Sequence, residues 1–234
     1  MDPTRSDVRS QGAAGQPQDS LHPTGGEPPL QRWPPGRAEV AALAAQLIAD
    51  SGLDYQSAKR KAARQVFGEA HIGAAMLPDN EAIDQYLLEH LQLFDRDHDH
   101  RVARYRQAAL HWMERLADFN AYLAGSVWKG IVAPHAPIHL QVFTDDAKEL
   151  EILLLNEAIN FDVSEIAHFA GRKDVPALAF YWQQDLPILI SVYRYDDLRG
   201  ALKRHKGGNG GAGRAERGNL AAVRELVGSG RDGG

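Results

Sequence analysis

Hydrophobic residues recur every three or four positions through the first half of the chain, which is the spacing of one helical face. The first such stripe consists of Val40, Leu43, Ala44, Leu47 and Ile48. Gly52 is predicted to end this helix, because glycine readily takes the left-handed conformation that follows a helix. Asp54 is predicted to cap a second, basic helix through Phe67, since a carboxylate there accepts backbone N–H groups.

Two more helical stripes follow Pro78. Asp79 or Asn80 is predicted to begin a third helix. Its inward residues are predicted to be Ile83, Leu87, Leu91 and Phe94. A fourth helix carries an apolar stripe of Val102, Tyr105, Ala109, Trp112, Leu116 and Phe119. This stripe is long enough for the fourth helix to pack against the third as a hairpin.

The pattern changes to a mixed α/β texture at about residue 121. Ile138–Phe143 alternates like a strand, with Ile138, Leu140 and Val142 on one face. Asp145 and Asp146 are predicted to cap a helix that runs to about Ile159. Further strands are predicted over Phe161–Phe169, Ala177–Trp182 and Ile188–Tyr193, the last two joined as a hairpin, with a short final helix from Asp196 through Leu202.

The two ends of the chain have a different composition. Residues 1–36 are rich in Pro, Gly, Gln and Ser, so they are predicted to be disordered. Residues 204–234 are predicted to be a flexible Gly-rich tail with a short helix from Asn219 to Val227. The predicted fold class is therefore α+β, in which a helical domain over 37–120 precedes a small mixed α/β domain over 121–203.

Composition narrows the class of protein. The chain has 234 residues, 44% hydrophobic content, no cysteine and a net charge of −5. These values allow a substantial core, exclude disulfides and thiolate metal sites, and argue against nucleic acid as the main partner. No apolar run approaches the roughly 18 residues of a membrane span, and the N-terminus lacks the apolar region of a signal peptide. A cytoplasmic protein without a membrane partner is expected.

Gly125 and Ser126 are the strongest candidates for ligand binding. Gly125 would let the backbone approach a phosphate closely, and Ser126 offers a hydroxyl donor. A helix beginning here would point free N–H groups at an anion, and Lys129 would add a positive charge one turn later. The alternative is that Gly-Ser is an ordinary turn between elements and Trp128 is a core residue.

Leu123–Gly130 followed by Ala136–Phe143 resembles the signature of the polymerase-β-type nucleotidyltransferases. More specifically, the chain resembles a bacterial family of small, uncharacterised nucleotidyltransferase-like proteins between residues 40 and 203. The other segments that carry this resemblance are Ala58–Gln65, Leu77–Asn80 and Tyr195–Lys203. The resemblance implies a nucleotidyltransferase-like sheet that holds a nucleoside triphosphate at the Gly-Ser turn and two Mg²⁺ ions on strand aspartates spaced Asp-x-Asp. Some members carry the label UDP-N-acetylmuramate–alanine ligase, but this sequence lacks the phosphate loop that such a ligase needs.

The sequence departs from that pattern at the metal-binding positions. Pro137 and His139 stand where the two aspartates would be, and Gln141 shares their face. Proline supplies no ligand and a neutral imidazole is a poor ligand for Mg²⁺, so no metal site is predicted. Asp162, on the next predicted strand, is a candidate third carboxylate.

Three hypotheses for function follow. The first is a nucleotide- or phosphate-binding pseudoenzyme in which Gly125, Ser126 and Lys129 hold the phosphate. The second is an active nucleotidyltransferase with a rearranged site, in which His139 is the general base and Asp162 the single metal ligand. A nucleoside triphosphate and Mg²⁺ are expected as cofactors only in that case. The third is a non-enzymatic module that binds a protein partner through residues 37–120.

Three other features have simpler interpretations. Lys59, Arg60, Lys61 and Arg64 form a basic cluster that fits a solvated helix face better than a nucleic-acid site. Asp95–His100 alternates Asp and His, but a polar connector between helices fits it better than a metal site. The aromatic group of Tyr181, Trp182, Tyr193 and Tyr195 fits core or interface packing better than a platform for stacking bases.

Overall fold

A computed structural model of the chain describes residues 35–68, 73, 76–201 and 216–229. Residues 1–34 of the segment predicted to be disordered lie outside these ranges, and so does the glycine-rich stretch Gly207–Gly211. All of the described residues belong to one compact unit. Among the described helices, none combines the length and the apolar character that crossing a membrane requires.

Three helices form the first layer. They are α1 (Pro35–Ser51), α2 (Tyr55–Phe67) and α3 (Asn80–Phe94), and α1 packs against both others. As predicted, Gly52 follows α1 with a φ of +62°, and Asp54 caps α2 by accepting the Gln56 and Ser57 N–H groups. Asp79 caps α3, accepting from Ala82 N–H.

The inward face of α3 is predicted correctly except at its last position. Ile83, Leu87 and Leu91 are buried. Phe94 is 73% exposed, so its prediction as a core residue is wrong. Phe94 is the final residue of α3, and its ring contacts His90 on the same helix.

The fourth helix, α4 (His98–Arg115), belongs to the core of the sheet. Its predicted apolar stripe is buried throughout, from Val102 to Phe119. The predicted hairpin with α3 is wrong, because the main neighbours of α4 are the C-terminal helix and the sheet. The stripe is apolar because it covers one sheet face, and the domain boundary predicted near residue 120 therefore cuts through a continuous core.

The sheet has six strands within the described residues. They are β1 (Tyr122–Ala124), β2 (Ile138–Phe143), β3 (Asp162–Ile166), β4 (Val175–Trp182), β5 (Leu186–Tyr193) and β6 (Arg217–Asn219). Their order is β3-β4-β5-β2-β1-β6, with β2 and β5 parallel and every other pair antiparallel. β2 has its predicted bounds, and β4 and β5 form the predicted hairpin through Gln183 and Gln184, which both have positive φ. β1 and β6 were not predicted.

Four shorter helices complete the described fold. They are α5 (Gly125–Lys129), α6 (Ala147–Asn156), α7 (Leu198–Ala201) and α8 (Leu220–Ser229). Asp146 caps α6 as predicted, accepting from the N–H groups of Lys148 and Glu149. The tail helix is present as α8, but α8 packs against α4 and follows β6, so this part of the predicted flexible tail is built into the fold.

The two faces of the sheet have different roles. Ile138, Leu140 and Val142 are fully buried on the face that packs in the main core together with residues of α4, α6 and α8. His139 and Gln141 lie on the opposite face, because side chains alternate along a strand. That opposite face carries the polar residues from which a site can be built.

Candidate functional site

Three neighbouring strands place Ala124 between His139 and Arg217. Ala124 on β1 pairs with His139 on β2 and with Arg217 on β6, so the three side chains share the face opposite the main core. Gln141 and Ser191 are paired on the same face across β2 and β5. The sheet face that carries His139 is therefore polar around Gln141 and Ser191, both of which are buried, and next to them it carries the buried rings of Phe143 and Tyr193.

The Gly125–Ser126 turn lies directly beside His139. Gly125 has a φ of +69°, and a side-chain Cβ at this position would lie 3.7 Å from the His139 Cβ. Gly125, Ser126 and His139 are each partly exposed. The turn and the strand that the sequence analysis singled out are thus brought together, and solvent reaches them.

His139 is a neutral imidazole at pH 7. Burial, and secondarily the positive charge of Arg217, lowers the pKa of His139 to about 4. Its Nε2 is hydrogen-bonded to the Ser191 hydroxyl at 2.5 Å. A group with so low a pKa is a weak proton acceptor near neutral pH, which makes His139 a poor general base.

Arg217 lies on the same face, and the sequence did not indicate it as a candidate site residue. It is 8% exposed, and its Nη1 donates a 2.6 Å hydrogen bond to Gln141 Oε1. The guanidinium carbon lies 4.8 Å from the centre of the Phe169 ring, a cation–π contact. Its buried Nε has no hydrogen-bond partner in the described part of the chain.

The charge of Arg217 is only weakly compensated. Its ion-pair partner among the described residues is Glu216, at 3.6 Å and with a side chain that is 55% exposed. Burial lowers the pKa of Arg217 from its usual high value, and Glu216 opposes that effect. A guanidinium stays charged at pH 7 nonetheless, so a buried positive charge lies among neutral polar groups.

Lys129 lies away from the Gly125–Ser126 turn. Its Nζ is 2.6 Å from Asp84 Oδ2 on α3. Asp84 is 7% exposed, and its other carboxylate oxygen accepts a 2.5 Å hydrogen bond from the Tyr55 hydroxyl. Lys129, at the C-terminal end of α5, therefore pairs with a buried carboxylate of the helical layer, and its predicted role in holding a phosphate stays a prediction.

Asp162 and His139 do not share a site. The register places both on the same sheet face, but β4 and β5 lie between their strands. Three strand spacings separate them, about 14 Å at the usual spacing. Asp162 is exposed on the edge strand β3, so a metal ion held by Asp162 would lie well away from His139, the general base of the active hypothesis.

The residues present do not fit the pair of Mg²⁺ ions that the resemblance implies. Pro137 is exposed just before β2, and on this face β1, β2, β5 and β6 place no carboxylate. Hard cations need several oxygen ligands, usually carboxylates, whereas Arg217 makes the face positive. Among the described residues, no group of three or more His, Asp or Glu side chains is arranged to hold a metal ion.

The remaining candidates are placed as follows. On α2, Arg60, Lys61 and Arg64 are exposed, and Lys59 donates to Asn80. The Asp95–His100 segment is more than a connector, because α4 begins at His98, whose ring accepts the Val132 N–H group.

The four aromatic residues do not form one platform. Trp182 stacks on His111 and Tyr193 on Phe143, whereas Tyr181 and Tyr195 are exposed. The proposal of a protein partner for residues 37–120 stays a prediction, since no partner chain is present.

Comparison with known proteins leaves the chain without a family assignment. No family model, no curated protein and no solved structure matches it. The features that bear on function are therefore those of the sheet face that carries His139 and Arg217.

Proposed function

We propose that this protein binds the phosphate group of a nucleotide beside the sheet face that carries His139, between the Gly125–Ser126 turn and Arg217, and does not transfer nucleotidyl groups. The observation that carries the proposal is Arg217, a buried cation without a buried carboxylate partner among the described residues. The resemblance to nucleotidyltransferases suggests that the ligand is a nucleotide. The buried positive charge of Arg217 is the reason to expect that the bound group is an anion.

A buried charge without a partner is costly. Removing an ion from water costs several kcal/mol unless an opposite charge or a set of hydrogen bonds replaces the solvent. Gln141 supplies one hydrogen bond to Arg217, and Nε is left without a partner in the described residues. An anion bound beside Arg217 would offset this cost, and the planar guanidinium matches the oxygens of a phosphate.

The surrounding groups suit a phosphate rather than a metal ion. Gly125 has no side chain to block the approach of a ligand, and the partly exposed Ser126 offers a hydroxyl group. The side chain of Gln141 is neutral, and His139 is neutral at pH 7, so no negative charge on these strands repels an anion.

Two observations argue against the alternative of an active transferase. His139 has a pKa of about 4, which makes it a weak base at pH 7. Asp162 lies on an edge strand, with two strands between it and His139. These observations favour the binding hypothesis over the active one, which the activity of the purified protein would test.

The proposal is tested by thermal unfolding with a panel of nucleoside triphosphates, in EDTA and in Mg²⁺. A ligand that binds only the folded state raises Tm, by mass action. A rise of Tm in EDTA is expected, because the site needs no metal. Arg217→Gln is expected to abolish the rise, whereas Arg224→Gln should keep it, since Arg224 is exposed on α8 and paired with Glu114.

Two outcomes would contradict the proposal. No rise with any nucleotide would refute phosphate binding. A rise that appears only with Mg²⁺ would favour the active hypothesis instead. Arg217→Lys keeps a positive charge, and is the substitute if Arg217→Gln unfolds; it is expected to retain a smaller rise.

A further inference from the structure

The short helix α5 is held in place by contacts from α3 and α4. Lys129 at its C-terminal end binds Asp84 on α3. Arg106 on α4 donates to the backbone carbonyl groups of Val127 and Trp128, at 3.3 and 3.4 Å. A helix of five residues has little stability of its own, so these contacts set its position.

Asp84 is the central group of the first contact. It is buried on α3 and is held from two sides, by Lys129 of α5 and by the Tyr55 hydroxyl at the start of α2. Burial, followed by the negative charge of Asp84, raises the pKa of Tyr55, so the hydroxyl keeps its proton and donates. One carboxylate therefore ties α2, α3 and α5 together.

The other side of α5 contacts the strand that carries Arg217. Trp128 lies against Gly218, so closely that a Cβ on Gly218 would be 2.1 Å from the indole ring. Gly218 directly follows Arg217 on β6. Lys129 and Trp128 are adjacent on α5, and Gly125 begins it, so a shift of α5 would move both sides of the proposed phosphate site.

We infer that Asp84 is a positioning residue for this site and that the helical layer α1–α3 controls its affinity for phosphate through α5. The inference rests on the proposed function. Loss of the Asp84–Lys129 contact releases the end of α5, so the Gly125–Ser126 turn and the Trp128–Gly218 contact lose their fixed spacing. A partner that bends α2 or α3 would change phosphate affinity by the same route, because Asp84 links both helices to α5.

The test is calorimetric titration of pyrophosphate into four full-length proteins in EDTA. They are the wild type, Lys129→Met, Lys129→Arg and Leu91→Ala. Lys129→Met is expected to weaken binding about tenfold, a typical size for coupling between sites. Lys129→Arg keeps the charge and should recover most of the affinity. Leu91→Ala removes packing two turns along α3 and should lower Tm without changing Kd.

Hydrogen exchange at residues 126–130 provides a readout that does not need the ligand. Lys129→Met should speed this exchange, whereas Leu91→Ala should not. A wild type that binds pyrophosphate together with an unchanged Kd in Lys129→Met would overturn the inference and leave the proposed function intact. An equal loss of affinity in Leu91→Ala would also overturn it, because the effect would then be general destabilisation. A wild type that does not bind would overturn the proposed function, and the inference with it.

Discussion

Arg217 on β6 reaches across β1 to donate a 2.6 Å hydrogen bond to Gln141 on β2. Ala124, which pairs with Arg217 on the intervening strand, has a side chain small enough to let the guanidinium pass over it. The acceptor is a neutral amide, although a glutamate of nearly the same shape would have neutralised the charge. Among the described ion pairs, the buried positive charge of Arg217 is therefore opposed only by Glu216, whose side chain is 55% exposed.

Gln141→Glu is expected to abolish phosphate binding without unfolding the protein. The new carboxylate would accept the same hydrogen bond and neutralise Arg217, and a charge-assisted bond of this kind contributes about 1.5–3 kcal/mol. Pyrophosphate titration should show affinity lowered by at least about tenfold, with Tm equal to or above that of the wild type. Retained affinity in a folded Gln141→Glu protein would show that Arg217 does not hold the anion.

His139 should make the protein less stable in acid. Its folded pKa of about 4 lies below the ordinary value of 6.5, so the unfolded chain binds more protons between these values. The stabilising contribution is therefore complete above pH 6.5 and is lost as pH falls towards 4. Over that window the wild type should lose roughly 3 kcal/mol through this residue.

Urea unfolding of the wild type and of His139→Gln, at several pH values between 4 and 7.5, measures this contribution. The glutamine variant keeps a polar side chain but cannot titrate. The free energy of unfolding should therefore fall less steeply with acid in the variant than in the wild type. Parallel pH profiles would mean that folding does not lower the pKa of His139.

Gly218→Ala should destabilise the protein and weaken phosphate binding together. The added methyl group would overlap the Trp128 ring, and overpacking of this kind costs about 1–3 kcal/mol. Gly228→Ala is the matched control, because nothing lies within 4 Å of its Cβ position on α8. Alanine in a helix interior is favoured over glycine by roughly 0.5–1 kcal/mol, so this control should be slightly more stable. Equal stability of the two variants would contradict the Trp128–Gly218 contact.

The double variant Pro137→Asp/His139→Asp tests the resemblance to the nucleotidyltransferases. It restores two carboxylates with the Asp-x-Asp spacing that the resemblance implies. If the fold is of that type, ATP binding should become stronger with Mn²⁺ than with EDTA, since hard cations take carboxylate oxygens. Titration with and without Mn²⁺ measures the difference. A well-folded double variant without any metal dependence would count against the resemblance.

The helices and the central strand were predictable because their signals are local. Asp54 and Asp79 cap their helices by contacts within three residues, and the β2 alternation predicts its own buried face. The packing partner of α4 was not predictable in this way. Its apolar stripe is compatible with another helix or with a sheet, and only the whole fold decides between them.

The proposed site was predictable on one side only. Gly125, Ser126 and His139 lie near each other in sequence, and the turn–strand pattern brings them together. Arg217 was not predictable, because β6 has three residues and follows a glycine-rich segment, too short for any alternation. The contact between Lys129 and Asp84 was not predictable, since Asp84 is 45 residues away in sequence and belongs to another layer.

The most direct test of the account is calorimetric titration of pyrophosphate into the wild type and Arg217→Gln, side by side in EDTA. The account predicts saturable one-site binding to the wild type and no binding to the folded variant. Equal binding by the two proteins, or none by the wild type, would contradict the claim that Arg217 forms a phosphate site.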